Sequence, residues 1–70
     1  MLATNKVNIT IREKEVLYFI AYECTSREIA AKMHLSVETI RSHRKNLLRK
    51  LDVRNIAGLI RKSMEMELIG

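Results

Sequence analysis

The stretch Thr25-Ser26-Arg27-Glu28-Ile29-Ala30-Ala31-Lys32-Met33-His34-Leu35-Ser36-Val37-Glu38-Thr39-Ile40-Arg41-Ser42-His43-Arg44-Lys45 decides the fold. Thr25 followed three residues later by Glu28 forms a capping box, in which hydroxyl and carboxylate each satisfy an orphan backbone N–H, so a helix starts here. Ser36, with Glu38 in the turn after it, marks the start of another. Only about three residues, His34-Leu35-Ser36, separate the two helices. A turn that short between a short helix and a longer basic one describes a helix-turn-helix. Ala30 falls where the helices approach closely, and Ile40, ten residues on, supplies the apolar plug between them. His34 takes the turn position that needs a positive φ, which His, Asn and Asp tolerate better than other side chains.

Working outward, Thr10 and Glu13 form a second capping box and Asn55 is a simple cap, so the spacing predicts four helices near 11–23, 26–33, 37–51 and 56–67. Proline is absent and glycine occurs only at Gly58 and Gly70, which removes strand-and-turn punctuation. The expected fold is all-α, a compact four-helix helix-turn-helix domain. Val16, Leu17 and Ile20, then Ile29, Ala30 and Met33, then Ile40, Leu47 and Leu51 recur at helical spacing and form its core, with Phe19 also assigned to packing. Residues 1–8 lack periodicity and are expected to be a flexible segment or linker remnant, with the domain proper over 9–70.

Composition narrows the function. Seventy residues hold one small core, which rarely supplies more than about 3–5 kcal/mol, so a catalytic pocket full of buried polar groups is a poor fit. There are no paired carboxylates, Ser/His/Asp set or phosphate-cradling glycine loop, and no catalytic residue is assigned. Cys24 is the single cysteine; with only His34 and His43 beside it, zinc spacing is lacking, and no metal or cofactor is expected. The longest apolar run, Val16 to Tyr22, is far below the ~18 residues of a membrane span, and no signal segment opens the chain, so a cytoplasmic protein without membrane contact is expected.

The net charge of +5 fits a polyanionic partner, and residues 37–51 carry most of it: Arg41, Arg44, Lys45, Arg49 and Lys50 against Glu38 alone, a balance of +4. Advancing ~100° per residue, Ile40, Leu47 and Leu51 point inward, while Arg41, Ser42, Lys45, Asn46 and Arg49 gather outward as a cationic ridge without an acid among them. A helix pinned by its apolar stripe thus offers this ridge to a groove of double-stranded DNA. Arg44 lies off the ridge and is expected to pair with Glu13 or Glu28; His43 is read as a packed histidine.

Four ordered stretches, Ile9 to Leu17, Thr25 to Ala30, Leu35 to Arg44 and Asn46 to Asn55, resemble the LuxR-type (NarL/FixJ, GerE-like) DNA-binding domain, a likeness covering residues 9–69. The resemblance implies a third helix in the major groove and a fourth that pairs two copies weakly on two-fold sites, within a bacterial transcription regulator. It implies base contacts from Arg41, Ser42 and Lys45. Arg27, Thr39, Asn46 and Arg54 are implied backbone contacts, joined by Arg49 of the ridge, and Ile56, Ala57 and Ile60 are assigned to the dimer surface. RNA polymerase is a further candidate partner. Two departures stand out, Glu23 and Glu67, each where relatives carry glycine after a helix. The rival readings are a sigma-factor-like promoter-binding region, which the capped fourth helix after Leu51-Asp52-Val53-Arg54-Asn55 disfavours, and a helical module binding an acidic protein, which retention by random duplex DNA would separate.

Overall fold

The computed structural model describes residues 7–70. Four helices run in order: α1 (Ile11–Ala21), α2 (Ser26–Met33), α3 (Val37–Lys50) and α4 (Ile56–Glu65), with no strand among the described residues. Their starts are chemically alike. Thr10, Thr25, Ser36 and Asn55 each accept a hydrogen bond from the amide three residues on, at 2.9–3.1 Å. Thr10–Glu13 and Thr25–Glu28 complete reciprocal capping boxes.

Their ends are alike too. Glu23, His34, Asp52 and Glu67 have φ of 65°, 57°, 56° and 58°, and neither glycine lies at positive φ. At each end the left-handed residue donates to the carbonyl three back, and the next residue donates to the carbonyl five back, as in Cys24 N to Phe19 O at 3.0 Å and Val53 N to Leu48 O at 3.0 Å. This is the Schellman arrangement, repeated four times without glycine. The residues that follow, Cys24, Leu35, Val53 and Leu68, are half-buried against the core, so each stop also supplies an apolar contact. Helices one, three and four accordingly stop one or two residues before the expected ends, because the terminal residues belong to the cap. Glu23, His34 and Glu67 adopt the left-handed geometry their positions suggested; Asp52 does so as well, unanticipated.

The core comprises Val16, Leu17, Ile20, Ile29, Ala30, Ile40, Leu47, Leu51 and Leu59, all buried, with Phe19 and Met33 packed on its edge. The long helix α3 is the hub, in contact with α1, α2 and α4. Two polar residues join the interior. Ser63 is fully buried and donates to the Leu59 carbonyl at 2.7 Å, which satisfies its hydroxyl within its own helix. Glu13 is buried, accepts from the Thr10 amide at 3.0 Å and pairs with Lys50 at 2.7 Å.

That pair corrects the expected partner of Glu13. Lys50, not Arg44, reaches it, while the Glu28 carboxylate accepts from the Thr25 amide at 2.7 Å. Arg44 is half-buried and makes no ion pair among the described residues. Burial pushes the Glu13 carboxyl up, but the hydrogen bonds and charge of Lys50 and the Thr10 contacts together outweigh it and hold the group below the ordinary value. The Lys50 ammonium also donates to the Asn8 carbonyl at 2.7 Å, clasping the approach to α1 against the end of α3. Of the segment 1–8, residues 1–6 lie outside those described; Val7 packs on the core edge.

Candidate nucleic-acid interface

The apolar stripe fixes which way α3 faces. With Ile40, Leu47 and Leu51 buried, Arg41, Ser42, Lys45 and Arg49 are exposed on one side of the helix. Arg41 and Lys45 are four residues apart and Lys45 and Arg49 four more, so three cationic side chains rise at intervals of about 6 Å along one line. Asn46, half-buried at the edge, accepts from Arg49 at 3.4 Å. Lys50 is turned away into its clasp with Glu13 and contributes nothing to the ridge.

The ridge does contain an acid, contrary to the expectation. Glu38 lies opposite the buried stripe, its side chain 86% exposed, and pairs with Arg41 at 3.7 Å. Both partners are open to water, where such a pair is worth about 0–1 kcal/mol, so it opens readily when a ligand competes.

Of the expected flanking contacts, Arg27 is exposed in the first turn of α2 and Arg54 is exposed in the loop between α3 and α4. Thr39 is half-buried and its hydroxyl is shared with Ser36 at 2.9 Å, a contact that orders the start of α3. On α4, Leu59 is buried, Ile56 and Ile60 are half-buried against the domain's own core, and Ala57 is exposed. Met64 is 58% exposed and shares a shallow groove of ≈ 440 Å³ with Tyr18, Tyr22, Ile60 and Ile69. Tyr18 and Tyr22 stack at 4.7 Å between ring centroids. The apolar surface beside α4 therefore extends onto α1, which the helix-by-helix reading did not show. A second groove, of ≈ 610 Å³, runs between α1 and α2 past Ile11, Phe19 and Met33, and includes no ridge residue.

A Cβ built at Gly58 would stand 3.4 Å from Val53 Cβ and 3.5 Å from the Asn55 cap oxygen, ordinary contact distances that leave room for an alanine. No helix is long and apolar enough to cross a membrane, and no group of three metal-ligating side chains forms, among the described residues.

Comparison with known proteins identifies the fold and the family. The bacterial regulatory proteins of the luxR family match residues 7–63. The chain belongs to that family. It is 41% identical over 58 residues to the uncharacterized response regulatory protein YgeK of Escherichia coli K12, covering 83% of this chain and 40% of that protein. It is 40% identical over 67 residues to the transcriptional activator protein EsaR of Pantoea stewartii subsp. stewartii, covering 96% of this chain and 27% of that one. The chain thus spans well under half the length of these relatives. Among solved structures, the response regulator ChrA of a heme-sensing two-component system superposes with a TM-score of 0.86 at 27% identity, over 94% of this chain and 33% of that one. The transcription factor GerE superposes with a TM-score of 0.83 at 23% identity, over 87% and 91% of the two chains, which supports the shared fold. This luxR-family domain is therefore a DNA-binding helix-turn-helix module of transcription regulators, a family of regulatory proteins rather than of enzymes.

Proposed function

We propose that this luxR-family domain binds double-stranded DNA sequence-specifically, with α3 in the major groove, as the reading unit of a bacterial transcription regulator in the cytoplasm. The observation that carries this is the exposed line of Arg41, Ser42, Lys45 and Arg49 on a helix whose opposite face is locked into the core. Arg41, Ser42 and Lys45 meet base edges, because guanine offers two acceptors to a cation and a hydroxyl can serve either partner. Arg27, Thr39, Asn46, Arg49 and Arg54 lie at the margins and set the register on phosphates. The binding unit is residues 9–70, with 1–8 leading into it.

Two copies pair weakly through α4, around Ile56, Ala57 and Ile60, when they occupy a two-fold site. Exposed Ala57 and Met64 support this, as does the tyrosine surface continuous with Met64. Such a contact is isologous, so the site is two inverted half-sites about one helical turn, ~10–10.5 bp, apart. Surfaces away from the ridge are left for RNA polymerase. Selection of bound duplexes from a random library tests the reading: an inverted-repeat motif is the expected outcome, and binding without base preference would overturn it.

A further inference from the structure

We propose that Glu38 is a specificity determinant of α3, selecting a cytosine in the base pair next to the guanine read by Arg41. The inference rests on the major-groove reading above. Glu38 is the only acid on α3, and it stands on the outward side of the helix with its side chain 86% exposed. An anion there is repelled by every phosphate it approaches, so the groove accommodates it only where a base edge presents a donor. Cytosine N4 and adenine N6 are the donors available. Adenine places the N7 acceptor beside its donor, which opposes a carboxylate, whereas cytosine presents the donor alone. Cytosine is therefore the base that fits.

The pairing with Arg41 sets the location. Arg41 follows Glu38 by three residues, about 4.5 Å along the helix axis, slightly more than one ~3.4 Å base step. Arg41 Nη1 stands 3.7 Å from the Glu38 carboxylate in a weak, exposed pair, so the two side chains start side by side. When the pair opens on DNA they reach neighbouring bases, the guanidinium keeping its donors for guanine O6 and N7. Glu38 also lies in the first turn of its helix, where a negative charge is favourable in itself. That effect alone would alter stability but not base preference, which separates the two roles.

The test is selection from a random duplex library with the wild-type chain and with Glu38→Gln and Glu38→Ala, followed by binding titrations on single-base variants and by thermal melting. The wild type is expected to prefer cytosine beside the Arg41 guanine by about fivefold or more. Glu38→Ala should level that preference while keeping the guanine, and Glu38→Gln should move it toward adenine, the base an amide pairs with. Unchanged preference in both variants, with uniformly tighter binding to all duplexes, would reduce Glu38 to a repulsive charge and overturn the proposal. So would a wild-type motif with no cytosine at that position. A wild-type chain that binds duplexes with no motif would overturn the major-groove reading itself.

Discussion

Replacing Lys50 by methionine removes the one cation that reaches the buried Glu13 carboxylate. Glu13 has a side chain 4% exposed, Lys50 one 21% exposed, and they meet at 2.7 Å. Removing one member of a buried pair costs about 3–5 kcal/mol when the other charge is stranded. Here the Thr10 amide still donates to the carboxylate, and the partial exposure of Lys50 lets water approach, which lowers the expected loss to about 2–3 kcal/mol. Against a total of about 3–5 kcal/mol for a core this small, that is most of the stability, and the melting midpoint should fall by roughly 10–20 °C. The loss should depend on pH. Because the Glu13 carboxyl titrates below its ordinary value, its contribution is present above the usual carboxylate range and fades as pH falls through the lowered folded value. In Lys50→Met, burial without the ammonium favours the protonated acid, so the variant regains stability on acidification and the gap to wild type narrows. Urea unfolding followed by circular dichroism at neutral pH and near pH 3.5, for wild type, Lys50→Met, Glu13→Gln and the double variant, measures both the loss and the coupling between the two side chains. A loss under about 0.5 kcal/mol at neutral pH, or one equal at both pH values, would refute the reasoning.

Three further outcomes are expected. Glu23→Gly should change stability by about 0 to +1 kcal/mol, since relief of about 1–2 kcal/mol of left-handed strain is partly cancelled by the freedom glycine adds to the unfolded chain; a clear fall in the melting midpoint would show that Glu23 is held there by its own contacts. Arg41→Ala should cost about 1–3 kcal/mol on the preferred duplex and relax discrimination at one base, whereas Arg54→Ala should weaken all duplexes alike and lower the salt slope by about one; equal losses for Arg41→Ala on specific and random DNA would remove it from base reading. Ala57→Glu, at an exposed position, should abolish cooperative occupation of paired half-sites while leaving single half-site affinity and melting nearly unchanged, and surviving cooperativity would place the dimer contact elsewhere.

What the sequence determined by itself is what is encoded within about five residues. The capping boxes at Thr10 and Thr25, the caps at Ser36 and Asn55, and the left-handed stop at His34 are local arrangements, legible because the partners lie side by side in the chain. The stops at Glu23 and Glu67 were legible only through the family resemblance, as positions where relatives carry glycine. Asp52, one of the residue types that tolerate positive φ, ends α3 in the same way at φ 56°, although no cap signal in the sequence singles it out. The buried stripes, and with them the outward direction of Arg41, Lys45 and Arg49, follow from helical periodicity. Glu38 was legible from that same periodicity, being opposite Ile40 and Leu47, yet its place in the first turn suggested a purely local role.

Tertiary structure decided the rest. The choice of Lys50 over Arg44 as partner of Glu13 spans 37 residues and depends on the rotation of α3 about its axis relative to α1. That rotation is set by the joint packing of Leu17, Ile40, Leu47 and Leu51, not by any local spacing. The same holds for the burial of Ser63 and the joining of Tyr18 and Tyr22 to the α4 surface. A helix wheel orders the faces of one helix. Only the packed core decides which face of another helix each of them meets.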